Sequence, residues 1–310
     1  MTFNERVDAV SEFGFTTRQA RFLVTVMLHG GVCLPRQYAR LAGTAYGHKV
    51  NAFFDKLVSL RYAVRCRCVH NRAAVYHVRH QPLYRAIGVA HSRNRKPVPA
   101  SRVIERLMLL DAVISHPDLD WLATAIDKVA YFSSEASSDM RRWPQQTVGG
   151  TRRYFADHLP IGVSSTGQVV FVFMATGSIT KDLNAFIHRH ADLLSTLRAW
   201  TVRLVLPPRL ARLESLLETA VRDQLENGES PAIRDALASG AARIESEVLP
   251  LSYRHLSPLT SLVRPRVKGV EKGEHVGEHP TARPQPLGVE RDDDEPPGGA
   301  RDWRGCADAH

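Results

Sequence analysis

The sequence predicts an α+β protein with two folded parts and a disordered C-terminal tail. Helical periodicity followed by a strand-like alternation marks residues 1–90 as the first part. An order of strands and helices marks residues 101–250 as a small α/β domain. The tail, residues 264–310, has 6 Pro and 7 Gly and the acidic run 292-DDDE-295, a composition too poor in large apolar residues to build a core.

The charge of the chain is concentrated in its first hundred residues. They hold 16 lysines and arginines against 4 acids, a net charge of +12, whereas the whole chain has a net charge of +9. Between Arg18 and Lys96 the only acid is Asp55. A compact basic part joined to a nearly neutral one indicates a nucleic-acid partner.

Three helices open the chain, each with recognisable boundary residues. Thr16 and Gln19 form a capping-box pattern ahead of the first strong apolar stripe. Pro35 suits the first turn of a helix over 35–42, which Gly43 ends. The third helix is predicted to begin near residues 46–48, with its apolar side formed by Val50, Phe53, Phe54, Leu57 and Val58.

A β-hairpin is predicted to follow the third helix. Residues 62–69 alternate, which places Val64, Cys66 and Cys68 on one face and Arg65 and Arg67 on the other. Residues 74–78 return as the second strand, and Arg72 lies in the turn. We expect the cysteine face to meet the core and the arginine face to meet solvent.

The cysteines and histidines of this hairpin also suggest a zinc site. Cys66, Cys68, His70 and His77 have a C-x-C-x-H spacing rather than the C-x₂-C pair of common zinc sites. Core-facing cysteines explain the pattern without a metal, so the sequence predicts no metal and no cofactor. The four scattered cysteines and the acidic, signal-free N-terminus favour free thiols and a cytoplasmic location.

The second part begins after a basic segment, residues 91–100, predicted to be a linker. No run of the chain approaches the length of a membrane span, so we expect no membrane association. Periodicity then predicts helices over 101–115, 118–132, 181–199, 209–226 and 231–249, strands over 159–163, 168–176 and 200–207, and a loop over 133–150.

The order helix, helix, turn, helix, hairpin resembles a winged helix-turn-helix. In that architecture the third helix lies in the DNA major groove and the hairpin, or wing, contacts the backbone. The resemblance implies a DNA-facing helix surface and phosphate contacts from the flanking arginines. The residues implied are Tyr46, His48, Lys49, Asn51, Ala52 and Lys56 on the helix, Arg36 and Arg40 on the preceding helix, and Arg65, Arg67 and Arg72 on the wing.

Three short stretches resemble the winged-helix domain of the plasmid replication-relaxation family. They are 34-LPRQYARLAG-43, 53-FFDKLVSLRYAVR-65 and 75-VYHVRHQPLYRAIG-88. The resemblance covers less than a third of the chain. It implies a DNA-binding protein of a plasmid or other mobile element, acting in replication, mobilisation or transcription control.

A second resemblance concerns the stretch 154-YFADHLPIG-162 and the apolar strand that follows it. The stretch resembles the start of a restriction-endonuclease-like fold, in which an Asp precedes one strand and an acid-x-Lys pair on the next completes a Mg²⁺ site. Asp157 takes the first position, but the strand over 168–176 offers no acid and no lysine. The resemblance therefore implies a nuclease fold that has lost its chemistry.

Other catalytic classes lack their motifs. The chain contains no G-x-x-x-x-G-K-[ST] loop and no G-x-S-x-G elbow, and His188, His190 and Asp192 fit one face of an amphipathic helix. The sequence therefore predicts a non-catalytic protein that binds double-stranded DNA, with homodimerisation or docking assigned to the second part. The alternatives are a metal-dependent nuclease using Asp157, and an adaptor that binds proteins through the winged helix.

Overall fold

A computed structural model describes most of the chain up to residue 249. The described residues are 1–67, 74–97, 99–134, 139–156, 159–176, 179–228 and 230–249, and all of them belong to one compact unit. The predicted tail, residues 264–310, lies outside them, as do Cys68, His70, Arg72 and Asp157. The described residues confirm a mixed α+β fold.

The first part of the fold contains five helices and a three-stranded sheet. The sheet is antiparallel and has the order β1-β3-β2. Its elements are α1 (Phe3–Ser11), α2 (Thr17–His29), β1 (Val32–Cys33), α3 (Pro35–Ala42), α4 (His48–Ser59), β2 (Ala63–Arg67), β3 (Ala74–Val78) and α5 (Gln81–Ala86).

The boundary residues act as the sequence predicts. The Thr16 hydroxyl accepts a hydrogen bond from the Gln19 N–H, and the Gln19 side chain accepts one from the Thr16 N–H, which caps α2. Pro35 opens α3, and Gly43 ends it in the left-handed conformation with φ +59°. These local signals set the two helices that lead into α4.

The central strand β3 is buried on both faces, whereas β2 at the edge is only partly buried, so the predicted division of the hairpin into a core face and a solvent face is not observed. Arg65 lies opposite Tyr76, so the arginine face is the one turned toward the aromatic core, while Arg65 itself stays exposed at the edge. Cys66 lies opposite Val75 on the other face and is only half-buried. Cys33 forms no disulfide.

The segment predicted to be a linker is packed against the first part. The Asn94 side chain donates hydrogen bonds of 3.0 Å to the Met27 and Leu28 carbonyls at the end of α2. The Asn94 carbonyl lies 2.9 Å from Nε2 of His77. These contacts satisfy helix-end carbonyls that would otherwise need water, so the segment is held in place.

The helix α6 (Ala100–Ser115) lies between the two parts of the fold. Its buried residues Leu107 and Met108 share an apolar cluster with Val75 of the first sheet and with Val172 and Val205 of the second. The Gln37 side chain donates to the Leu107 carbonyl, and Arg106 donates to the Gly30 carbonyl. A single helix thus closes both cores.

The second part is built around a five-stranded sheet of order β10-β9-β8-β7-β4. The strands β8, β9 and β10 are parallel, whereas β7 runs antiparallel to both β8 and β4. A separate hairpin, β5–β6, lies outside this sheet. The elements are β4 (Asp120–Leu122), α7 (Ala125–Ser134), β5 (Gln145–Val148), β6 (Thr151–Tyr154), β7 (Ile161–Val163), β8 (Val169–Met174), α8 (Ile179–Leu194), β9 (Trp200–Leu206), α9 (Glu214–Glu226), α10 (Pro231–Ala238) and β10 (Ala242–Val248).

Three predicted elements of the second part are wrong, and so is the placement of His188, His190 and Asp192 on one helix face, because His188 and Asp192 are exposed whereas His190 is buried against Phe186. The range 118–132 contains the edge strand β4 before α7, because Thr124 and Asp127 cap α7 reciprocally and pairing with β7 fixes β4. The range 133–150, predicted as loop, contains β5. The range 231–249 contains α10 and then β10, separated by Gly240 at φ +75°. Throughout the described ranges, no helix is both long and apolar enough to cross a membrane.

Candidate nucleic-acid interface

The helix α4 is seated on a cluster of aromatic side chains. Phe53 and Phe54 are almost fully buried, and their ring centroids lie 4.5 Å from Tyr38 and 4.4 Å from Tyr76, respectively. Aromatic pairs at these separations add to the stability gained from burial alone. The buried side of α4, formed by Val50, Phe53, Phe54 and Leu57, fixes which residues face outward.

The outward side of α4 carries the predicted reading residues. His48, Lys49, Asn51 and Ala52 are all exposed, and Tyr46 just before the helix is 62% exposed. The N-cap residue is Gly47, which offers no side chain to the first turn. Uncapped N–H groups and the positive end of the helix dipole favour an anion at this end.

Arg65 borders this surface. It is exposed on β2, close enough to Tyr76 to influence its hydroxyl: burial raises the pKa of Tyr76, Arg65 opposes that rise, and Asp55 and Tyr46 add to it. The outward side of α4 and the edge of β2 therefore form one surface. We call it the α4 surface, comprising Tyr46, His48, Lys49, Asn51, Ala52 and Arg65. Arg40 is exposed in the last turn of α3, where it lines a groove together with residues of α1, α2 and the end of α6.

Arg36 is held at the junction of the two parts. Its guanidinium donates two hydrogen bonds, of 3.0 and 3.3 Å, to the carboxylate of Asp111 on α6. The Asp111 side chain is only 2% exposed, and loss of one partner from a buried ion pair is strongly destabilising. Arg36 therefore has a structural role, and its predicted DNA contact stays a prediction.

Lys56 is also engaged within the protein. Its ammonium donates a hydrogen bond to the Gly14 carbonyl and lies 4.9 Å from the centre of the Phe15 ring. A carbonyl and an aromatic face hold the charge at the junction of α1, α2 and α4. Like Arg36, Lys56 fits a structural role better than the predicted one.

Three of the predicted site residues have side chains outside the described part of the structure. Arg67 is the last residue of β2, but its side chain is not among those that the structure describes, and Arg72 and Asp157 lie outside the described residues altogether.

For the nuclease alternative, the structure pairs β7 with β8, the two strands to which the resemblance refers. All six residues of β8 are apolar and buried, so this strand presents no metal ligand.

The zinc hypothesis finds no cluster in the described part of the chain. No group of three or more His, Cys, Asp and Glu side chains is arranged to hold a metal there. His77 is buried, which lowers its pKa, and its ring contacts the Asn94 carbonyl. Its imidazole is thus used within the fold.

The sequence interpretation missed a second basic surface on the hairpin β5–β6. The signal was present: residues 140–156 contain four arginines, no acid, and a Gly-Gly pair between two polar stretches. The sequence predicts a loop over 133–150 and no element over 151–156, because the apolar alternation of a half-buried strand is missing there.

Comparison of the chain with known protein families, with curated proteins and with solved structures yields no match. Geometry and charge therefore carry the functional inference.

Proposed function

We propose that the chain binds double-stranded DNA through a winged helix-turn-helix, residues 1–90, whose recognition helix is α4. The order α2, β1, α3, α4, β2, β3 and the antiparallel sheet β1-β3-β2 support this architecture. In such proteins a helix braces the recognition helix and a hairpin lies beside it. Here α3 precedes α4, and β2–β3 follows.

The α4 surface is the observation that carries the proposal. The amide of Asn51 suits the N6/N7 edge of adenine, and the ammonium of Lys49 suits the O6/N7 edge of guanine. Arg65 at the border suits phosphates, which position a protein without reading sequence, and the winged-helix resemblance gives Arg40 on α3 the same role. Asp55 is the one acid of α4; it lies one turn beyond Asn51 and, like Arg65 and Tyr46, acts on the Tyr76 hydroxyl, so it offsets part of the positive charge on this side.

The second part of the fold is proposed to be non-catalytic and to serve dimerisation or docking. The apolar, buried character of β8 supports this role, because a Mg²⁺ site of the resembled type needs a carboxylate and a lysine on that strand. Action in the replication, mobilisation or transcription control of a mobile element is the process that the family resemblance favours.

Selection of bound sites from random duplex DNA tests the proposal. The wild-type chain is compared with Lys49→Ala and Asn51→Ala, with Arg198→Ala as the control because Arg198 is exposed on the second part. We expect each α4 variant to lose preference at one position, at a cost of about 1–3 kcal/mol per bidentate base contact. The control should select the wild-type motif.

Two outcomes would overturn the proposal. A wild-type chain that retards no duplex at low salt does not bind DNA, and a protein-binding role would then replace this one. Cleavage of supercoiled plasmid in Mg²⁺ that disappears in Asp157→Ala would show that the second part is catalytic.

A further inference from the structure

The hairpin β5–β6 projects from the second part of the fold without joining its main sheet. Its strands pair only with each other, from Gln145 opposite Tyr154 to Val148 opposite Thr151. Gly149 and Gly150 form the two-residue turn at φ +56° and +76°, a conformation that favours glycine. A Cβ added at either glycine would meet no atom within 4 Å, so the tip is surrounded by open space.

The hairpin has no core of its own but is firmly held at its base. All residues of β5 are exposed, as are the first three of β6. At the base, Phe155 stacks on Phe132 at 5.4 Å and lies 5.8 Å from the Trp143 ring, and all three rings are buried. An isolated two-stranded hairpin is only marginally stable in water, so this aromatic anchor keeps the exposed ribbon ordered.

The exposed ribbon carries positive charge and hydrogen-bonding groups. Arg152 lies opposite Thr147, and Arg153 lies opposite Gln146, so an arginine stands on each face. Within the described residues neither arginine forms an ion pair, whereas Arg141, nearer the base, is paired with Asp139. Both guanidinium groups of the ribbon are therefore available to an anionic partner.

The Arg153 face of the ribbon borders a groove whose other side belongs to the first part. The groove has a volume of about 660 Å³, and His91 and Arg93 lie on its far side. None of the described residues that line it is acidic. Arg93 is exposed on the segment that Asn94 fixes to α2, so the positive charges on both sides are held by ordered backbone.

We propose that the β5–β6 hairpin and Arg93 form a second nucleic-acid contact surface that binds the phosphate backbone of duplex DNA. A two-stranded ribbon has the dimensions to enter a major groove, and guanidinium groups bind phosphate bidentately. The exposed residues of the ribbon, 145–148 and 151–153, include no aromatic side chain of the kind typical of the centre of a protein interface. The inference rests on the proposed function for the identity of the partner, but it concerns residues far along the chain from α4.

The salt dependence of DNA binding tests this surface. The double variant Arg152→Ala/Arg153→Ala is compared with wild type on one duplex between 50 and 200 mM salt. Removal of two phosphate contacts should reduce the slope of log affinity against log salt by about 1.8. The loss of affinity should therefore be about twelvefold larger at 50 mM than at 200 mM salt. It should be equal for selected and unrelated sequences, because phosphate contacts carry no sequence information.

Two further variants control for charge and folding. Arg198→Ala/Arg222→Ala removes the same charge from exposed positions elsewhere on the second part and should leave the slope unchanged. Arg152→Lys/Arg153→Lys keeps the charge and should restore most of the slope, since lysine also binds phosphate. All the hairpin side chains changed are exposed, so thermal unfolding should match that of the wild type.

The outcomes separate this inference from the proposed function. If wild type binds DNA and the α4 variants alter its motif, but the Arg152/Arg153 variant keeps the wild-type slope, the hairpin surface is overturned and the function stands. If the hairpin variant lowers the slope and the α4 variants change nothing, the hairpin surface stands and α4 is not the recognition helix. Equal losses in the hairpin variant and the Arg198/Arg222 control would reduce the effect to net charge and overturn the surface.

Discussion

The guanidinium of Arg6 meets the carboxylate of Asp127 through two hydrogen bonds, of 2.8 and 3.2 Å. Arg6 belongs to the first helix and Asp127 to α7, so the pair joins residues 121 positions apart. Both side chains are mostly buried. Burial raises the pKa of Asp127, but the hydrogen bonds from Arg6 and Thr124 outweigh it, and the pKa is lowered. The pair is thus ionised and joins the two parts.

Removal of one member of this pair is predicted to destabilise the fold. Arg6→Met leaves the Asp127 charge buried without its partner, which should cost about 3 kcal/mol in the free energy of unfolding. Urea denaturation measures the loss. The double variant Arg6→Met/Asp127→Asn should recover most of it, because no charge is then left buried and the Asn side-chain oxygen can still accept the hydrogen bond from the Thr124 N–H that caps α7. A single variant as stable as wild type would contradict this account.

A buried histidine is predicted to make the fold sensitive to mild acid. Burial lowers the pKa of His29 to about 3, so the folded protein keeps this imidazole neutral. The unfolded chain takes up the proton below its ordinary value of 6.5, and stability is therefore lost as the pH falls from 6.5 toward 3. At pH 5 the loss from His29 amounts to about 2 kcal/mol.

The slope of unfolding free energy against pH measures this effect. His29→Phe keeps an aromatic ring against Trp121, which His29 meets edge-on at 6.4 Å, and it should flatten the slope between pH 6.5 and 5. His188→Ala removes an exposed imidazole and should leave the slope as in wild type. An unchanged slope in His29→Phe would show that other groups cause the acid sensitivity.

Arg36 and Arg40, both on α3, are predicted to have different roles: Arg36 in the stability of the fold and Arg40 in DNA binding. Arg36→Ala leaves Asp111 buried without this partner and should lower the free energy of unfolding by about 3 kcal/mol. Arg40→Ala removes an exposed side chain and should change stability by less than about 0.5 kcal/mol. For DNA binding we expect Arg40→Ala to have the larger effect. Loss of one phosphate contact should reduce the slope of log affinity against log salt by about 0.9.

Gel shifts at varied salt and urea denaturation of both variants give the comparison. A reduced salt slope in folded Arg36→Ala would return Arg36 to the DNA surface. A salt slope unchanged in Arg40→Ala would remove Arg40 from it.

Gly31, which lies against the segment that carries Asn94, is predicted to tolerate no larger residue for steric reasons. Gly31 has φ +73°, and a Cβ there would collide with the Asn94 carbonyl. Gly43 has φ +59° but open space around an added Cβ. Gly43→Ala should therefore cost about 1 kcal/mol for the backbone conformation alone, whereas Gly31→Ala should cost at least about 2 kcal/mol more. Equal losses in urea denaturation would show that the segment moves aside freely.

The sequence predicts well the elements that local signals define. The bounds of α3 follow from Pro35 and Gly43, and those of β3 from the alternation of residues 74–78. The burial of Phe53 and Phe54 follows from helical periodicity. Local signals suffice here because caps, turns and helical periodicity involve residues that are only a few positions apart in the sequence.

Elements set by distant partners are not predictable in this way. Residues 120–122 and 242–248 are strands because β7 and β9 offer edges to pair with, and their own residues also fit helical patterns. The candidate site shows the same division. The exposed face of α4 follows from its periodicity, but the engagement of Arg36 depends on Asp111, 75 residues away in sequence.

The position of α6 has a mechanical consequence for the proposed DNA complex. The apolar cluster around α6 joins residues of the first sheet to residues of the five-stranded sheet. A force applied to α4 by a bound duplex is therefore expected to be transmitted to the five-stranded sheet. A fragment ending before residue 100 would also expose the apolar residues Val32, Leu34 and Val75, which share a cluster with α6. The two parts are therefore expected to be produced, and to move, as one unit.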